Sequence, residues 1–71
     1  MPVTYSNLWK LLIDKKMKKT DLIEVCQIST NVLAKLGKNQ YVSLETLEKI
    51  CVNLKCELSD VVELEKEIHH V

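Results

Sequence analysis

Leu8, Trp9, Leu12 and Ile13 are the first apolar cluster in the chain, and their spacings of one and four put them on one side of a helix. A first helix is therefore expected over residues 6–16, with Ser6 or Asn7 as its cap. Leu22, Ile23, Val25 and Cys26 repeat the pattern over two turns. Thr20 stands in front of them as an N-cap and Asp21 suits the positive end of a helix, so a short second helix is expected over 20–26. Gln27 and Ile28 interrupt the run. Ser29 is a second strong cap candidate, and Val32, Leu33 and Leu36 carry a third helix that Gly37 is expected to close as a C-terminal glycine. Beyond the polar loop 37–42, Ser43 caps a fourth helix whose stripe is Leu44, Leu47, Ile50, Cys51 and Leu54. Ser59 and Asp60 open one or two further turns covering Val61, Val62 and Leu64. The tail reads two ways: VELEKEI at 62–68 fits an extended strand nearly as well as a fraying helix. As a strand it has two candidate partners, PVTY near the N-terminus or its own counterpart in a second chain.

Five short helices and almost no sheet make an all-α cluster, and 71 residues make one small domain, 1–71, with a tail at about 66–71. Within it, the second and third helices are separated by only about three residues. That is helix-turn-helix geometry, spanning about residues 20–36, and so short a connection forces a large crossing angle that projects the third helix outward. The third helix is two-sided. Ile28, Leu33 and Leu36 fall on a face suited to the core, whereas Thr30, Asn31, Ala34 and Lys35 fall on the opposite one.

Charge sharpens this picture. Ten basic and ten acidic residues give zero net charge, but residues 1–40 hold seven lysines against three acids, a surplus of four positive charges. Residues 41–71 hold three lysines against seven acids, the same surplus in the other sign. A basic half can meet a polyanion while the acidic half faces away. Cys26, Cys51 and Cys56 are odd in number and lack CxxC spacing, which suits free thiols rather than a disulfide framework or zinc ribbon. A single glycine leaves no phosphate-binding glycine loop, and no Ser/His/Asp set has a pocket, so no enzyme activity, metal or cofactor is expected. His69 and His70 are read as surface residues of the tail. Trp9 is expected to be the principal core aromatic, sharing a face with Tyr5, Leu12 and Ile13. The absence of a signal segment or membrane-length apolar run points to the cytoplasm.

The outward face of the third helix has the chemistry for reading double-stranded DNA. Asn31 can pair bidentately with adenine, Thr30 can hydrogen-bond a base edge or offer its methyl to thymine, and Lys35 can reach guanine or phosphate. Small Ala34 allows a close approach. Lys19, Thr20, Ser29, Lys38 and Asn39 flank the helix starts and the following loop, where they are expected to hold the DNA backbone. The segment KTDLIEVCQISTNVLAKLGKNQYVSLETLEKICVNLKCELSDVV, residues 19–62, resembles the Cro and lambda-repressor type (XRE-type) of helix-turn-helix regulators, particularly their compact single-domain members. Leu22, Ile28-Ser29, Leu33, Leu36, SLETLEKIC and LSDVV carry the likeness. It implies a five-helix lambda-repressor-like fold, operator binding through the third helix in the major groove, and commonly a homodimer on a two-fold site. By position it assigns Thr30, Asn31 and Lys35 to bases and Lys19, Thr20 and Lys38 to the backbone. The chain departs from that pattern at Gln27, where the family often has glycine in the turn, and around Gly37, near which the family often has an acidic or arginine residue. The competing reading is a helical protein-interaction or antitoxin-like module working through Val61, Val62, Leu64 and Ile68. No small-molecule effector is expected.

Overall fold

The computed structural model describes residues 2–65. Its elements are β1 (Val3–Thr4), α1 (Ser6–Asp14), α2 (Asp21–Val25), α3 (Thr30–Gly37), α4 (Leu44–Leu54), a single 3-10 turn (Leu58–Asp60) and β2 (Glu63–Leu64). The expected fifth helix is thus one 3-10 turn. Glu57 opens it instead of Ser59: its amide donates to Asp60 Oδ2 at 2.9 Å, half of a reciprocal capping box. The chain then straightens, because β2 pairs antiparallel with β1, Val3 opposite Leu64 and Thr4 opposite Glu63. The Glu65 amide extends the ladder to the Pro2 carbonyl at 2.7 Å. Of the two readings of the tail, the strand holds for residues 63–64, and its partner is the PVTY stretch of the same chain. Ile68, His69 and His70 lie outside the described residues.

Helix starts show which caps work. Ser29 and Ser43 act as expected, accepting the amides of Val32 and Thr46 at 3.1 Å. Ser6 and Asn7 do not cap α1, whose N-cap position is Tyr5. Asn7 instead reaches across the molecule, its Nδ2 donating to the Ser59 carbonyl and to Glu63 Oε1, each at 3.3 Å. Thr20 makes no side-chain cap either. Asp21 takes over by folding back to accept the Lys18 amide at 2.8 Å, and the Asp21 amide donates to the Lys18 carbonyl at 3.0 Å. The charged carboxylate makes a strong bond there, closing the turn in front of the helix.

Among the described residues four adopt the left-handed conformation, Lys16, Gln27, Asn39 and Lys55, with φ of 56° or 57°. Each follows the end of a helix, where such a residue reverses the chain. The one glycine is not among them: Gly37 is the last residue of α3, and Asn39 turns the chain two positions later. Asn tolerates that region better than most residues, which is why the expected glycine stop is unnecessary here.

The core joins Val3, Tyr5, Leu8, Leu12, Leu22, Cys26, Ile28, Leu36, Leu47, Ile50, Leu54 and Val61. α2 packs on both α3 and α4, and the 3-10 turn packs on α1 and α4. Tyr5, not Trp9, is the central aromatic: Tyr5 is buried, Trp9 is half-buried and Ile13 is 73% exposed. The reason is helical phase. Leu8 and Leu12 point inward, and the residue after each lies about 100° further round the axis.

Candidate nucleic-acid interface

The unit formed by α2 and α3 is held from behind. Leu22 and Cys26 of the first helix and its end, Ile28 of the turn and Leu36 of the second helix are all buried. The connection runs from Cys26 to Ser29, four residues, and its reversal is made by Gln27 at φ 56°. The residue type departs from the family pattern at this position, but the backbone here takes the conformation a glycine adopts freely. Ser29 then returns to extended backbone and caps α3.

On α3, Thr30, Asn31, Ala34, Lys35 and Lys38 are all exposed. Their spacings of one, three and four place them on one arc, opposite Leu36 and the half-buried Val32 and Leu33. Ala34 leaves a shallow place in the middle of this arc, with Asn31 and Lys38 one turn to either side. The Ser29 hydroxyl accepts from Val32, which leaves its own proton available to donate outward. Lys19 and Thr20 are exposed at the entry to α2, and the Thr20 hydroxyl is not spent on a cap. All seven lysines of residues 1–40 are exposed.

Asn39 is placed differently from the other seven candidates. It is half-buried, and its Oδ1 accepts the Tyr5 amide at 3.3 Å, with its NH2 group left as the donor for a phosphate. Tyr5 adds a second tie, its hydroxyl donating to the Gln40 carbonyl at 2.7 Å. The Gln40 amide closes on the Lys35 carbonyl at 2.9 Å. The loop after α3 is thereby anchored to a residue 34 positions away in sequence, and burial raises the Tyr5 phenol above its ordinary pKa, keeping it a donor. Sequence reasoning did not assign Tyr5 this role. The available signal was general: a buried tyrosine hydroxyl finds a partner.

The acidic half presents a different surface. A groove of about 580 Å³ beside α4 is lined by Leu44, Glu45, Glu48, Cys51, Cys56, Glu57 and Leu58. All three cysteines are free thiols, and burial pushes each pKa up, that of Cys56 to about 11. Protonated thiols of this kind are poor nucleophiles. Among the described residues no helix is long and apolar enough to cross a membrane.

Two helices at a tight turn, the second with a polar, lysine-bearing outer arc and an apolar inner one, define a DNA-binding helix-turn-helix domain. The chain belongs to the Cro/C1-type helix-turn-helix DNA-binding family, whose model matches residues 7–67. It is similar to the crystal structure of the transcriptional regulator VanUg, at 48% sequence identity and a TM-score of 0.88, over 93% of this chain and 88% of that one. No curated protein matches it.

Proposed function

We propose that the protein is a sequence-specific regulator of transcription, acting in the cytoplasm by occupying an operator as a repressor, and not by catalysis. α3 enters the major groove, Thr30, Asn31 and Lys35 read bases, and Lys19, Thr20, Ser29, Lys38 and Asn39 hold the phosphate backbone. The observation that carries this reading is the exposed arc of α3, polar and cationic, braced from behind by buried Ile28 and Leu36. Likeness to a transcriptional regulator at 48% identity supports the regulatory role. Residues 1–71 act as one domain and as a homodimer, with half-sites roughly 34 Å apart. Leu44 and Val52, 70% and 68% exposed and two turns apart on α4, offer apolar surface for such a contact.

The test is selection of bound duplexes from a random pool at several salt concentrations, followed by sequencing. One palindromic motif is expected. Asn31→Ala should weaken binding to it by about 1–3 kcal/mol and relax preference at one base pair, with stability unchanged. Retention of no duplex by folded protein at low salt would sink the proposal in favour of a partner-protein module. That rival loses part of its footing in the fold: Val61 is fully buried, so its substitution acts on stability and not on a contact, and among the described residues Leu64, 66% exposed, is its most accessible candidate.

A further inference from the structure

The turn between α1 and α2 carries Lys15, Lys16, Lys18 and Lys19, all exposed. Its backbone is fixed at both ends. The Met17 amide donates to the Leu12 carbonyl at 2.8 Å, and Asp21 holds the Lys18 amide at 2.8 Å. Lys19 has a further constraint on its side chain, because its Nζ lies 4.5 Å from the centroid of the Trp9 ring. Trp9 is half-buried on α1, so its ring is braced by the core while one part of it stays accessible to the ammonium.

A free lysine loses substantial rotamer entropy when it is held at one place, and that loss weakens any contact it makes. A ring that already holds the chain removes part of the loss before a ligand arrives. The ammonium has three N–H donors, and stacking on a ring face engages only the side turned toward it. The remaining donors are left for a ligand, since Lys19 is exposed and sits next to exposed Thr20 in the chain, at the entry to the helix-turn-helix unit.

We propose that Trp9 is a positioning residue for DNA binding, a platform that presents the Lys19 ammonium to a backbone phosphate. The proposal rests on the DNA-binding reading above and deepens it. Trp9 itself touches no DNA in this arrangement. It also explains why the ring sits half out of a core that Tyr5 already fills.

Two readouts test it. In the free protein, Trp9 is the only tryptophan, so its emission reports on Lys19 directly. Lys19→Met should change that emission, and Trp9→Leu should abolish an upfield ring-current shift of the Lys19 ε-methylene protons in NMR. On the duplex selected by the wild-type protein, affinity is then measured against salt for Trp9→Leu, Trp9→Phe, Lys19→Met and the Trp9→Leu/Lys19→Met pair. Trp9→Leu should weaken binding about two- to fivefold, the worth of an exposed cation–π contact. Its salt slope should fall toward that of Lys19→Met, which loses about 0.9 for one phosphate. Trp9→Phe should keep most of the affinity, and the double variant should bind no worse than Lys19→Met alone. The proposal is overturned if Trp9→Leu, folded by circular dichroism, keeps the wild-type affinity and salt slope, or if the two losses multiply. Wild-type protein that binds no duplex would sink the DNA-binding reading itself, a different result from binding that is indifferent to Trp9.

Discussion

Ser29 and Ser43 do the same thing at the starts of α3 and α4, each accepting the amide three residues on at 3.1 Å. Beyond the cap the two helices part. α4 buries Leu47, Ile50 and Leu54 along its length, whereas α3 fully buries only Leu36 and depends on Ile28 in the preceding turn. Their outer faces differ as well. α3 shows Thr30, Asn31, Ala34 and Lys35, with no acid, whereas α4 shows Glu45 and Glu48 among exposed Leu44 and Val52. The same local rules thus build one helix that holds the fold together and one that is mostly display. A display helix can be short and shallowly seated, because its job is to leave side chains free.

Core truncations should break this comparison most strongly. Ile50→Ala and Leu36→Ala each remove a fully buried side chain, and each should cost about 2–5 kcal/mol in thermal or urea unfolding. Equal losses would show that α3's single anchor matters as much as α4's central one. A Leu36→Ala loss below about 1 kcal/mol would mean that α3 is not held as described.

Cap removal comes next. Ser43→Ala and Ser29→Ala should each cost about 1 kcal/mol by the same measurement, since both hydroxyls satisfy an otherwise open helix amide. Ser29→Ala should also weaken DNA binding, through a frayed first turn under Asn31. Ser43→Ala should not.

Smaller effects come from the glycine that is absent from the turn and the one that is present in the helix. Gln27→Gly relieves a left-handed residue and should stabilise by about 0.5–1 kcal/mol. Gly37→Ala should stabilise by a similar amount, because Gly37 has no positive φ and an added Cβ would meet nothing within 4 Å. A destabilised Gly37→Ala would contradict the assignment of chain reversal to Asn39.

The pH dependence comes last because it acts only in alkaline solution, above the range in which the variants are compared. The folded Cys56 pKa is about 11 against an ordinary 9.0, pushed up first by burial and then by the neighbouring Cys51 thiol. A raised pKa means that the fold favours the protonated thiol. This contribution is whole below pH 9 and is lost as the pH rises toward 11. Denaturation midpoints should therefore fall across that window, and Cys56→Ala should flatten the fall. An unchanged slope in Cys56→Ala would shift the assignment to Tyr5, Cys26 or Cys51, whose pKa values burial also raises.

Apolar periodicity, the Ser29 and Ser43 caps, the two faces of α3 and the separation of basic from acidic halves were all determined by the sequence on its own. They depend on residues one, three and four apart, or on simple charge counts, so no knowledge of the fold is needed to read them. The burial of Tyr5 in place of Trp9, the turning of α3 at Asn39 and the pairing of β1 with β2 were decided only by tertiary structure. Each involves a choice among local alternatives that are nearly equal in energy, and packing makes that choice. Tyr5 and Asn39 meet across 34 residues, and Val3 and Leu64 meet from opposite ends of the described chain. Lys19 over Trp9 belongs with these: either residue alone reads as solvent or core, and only the turn between α1 and α2 brings the ammonium onto the ring.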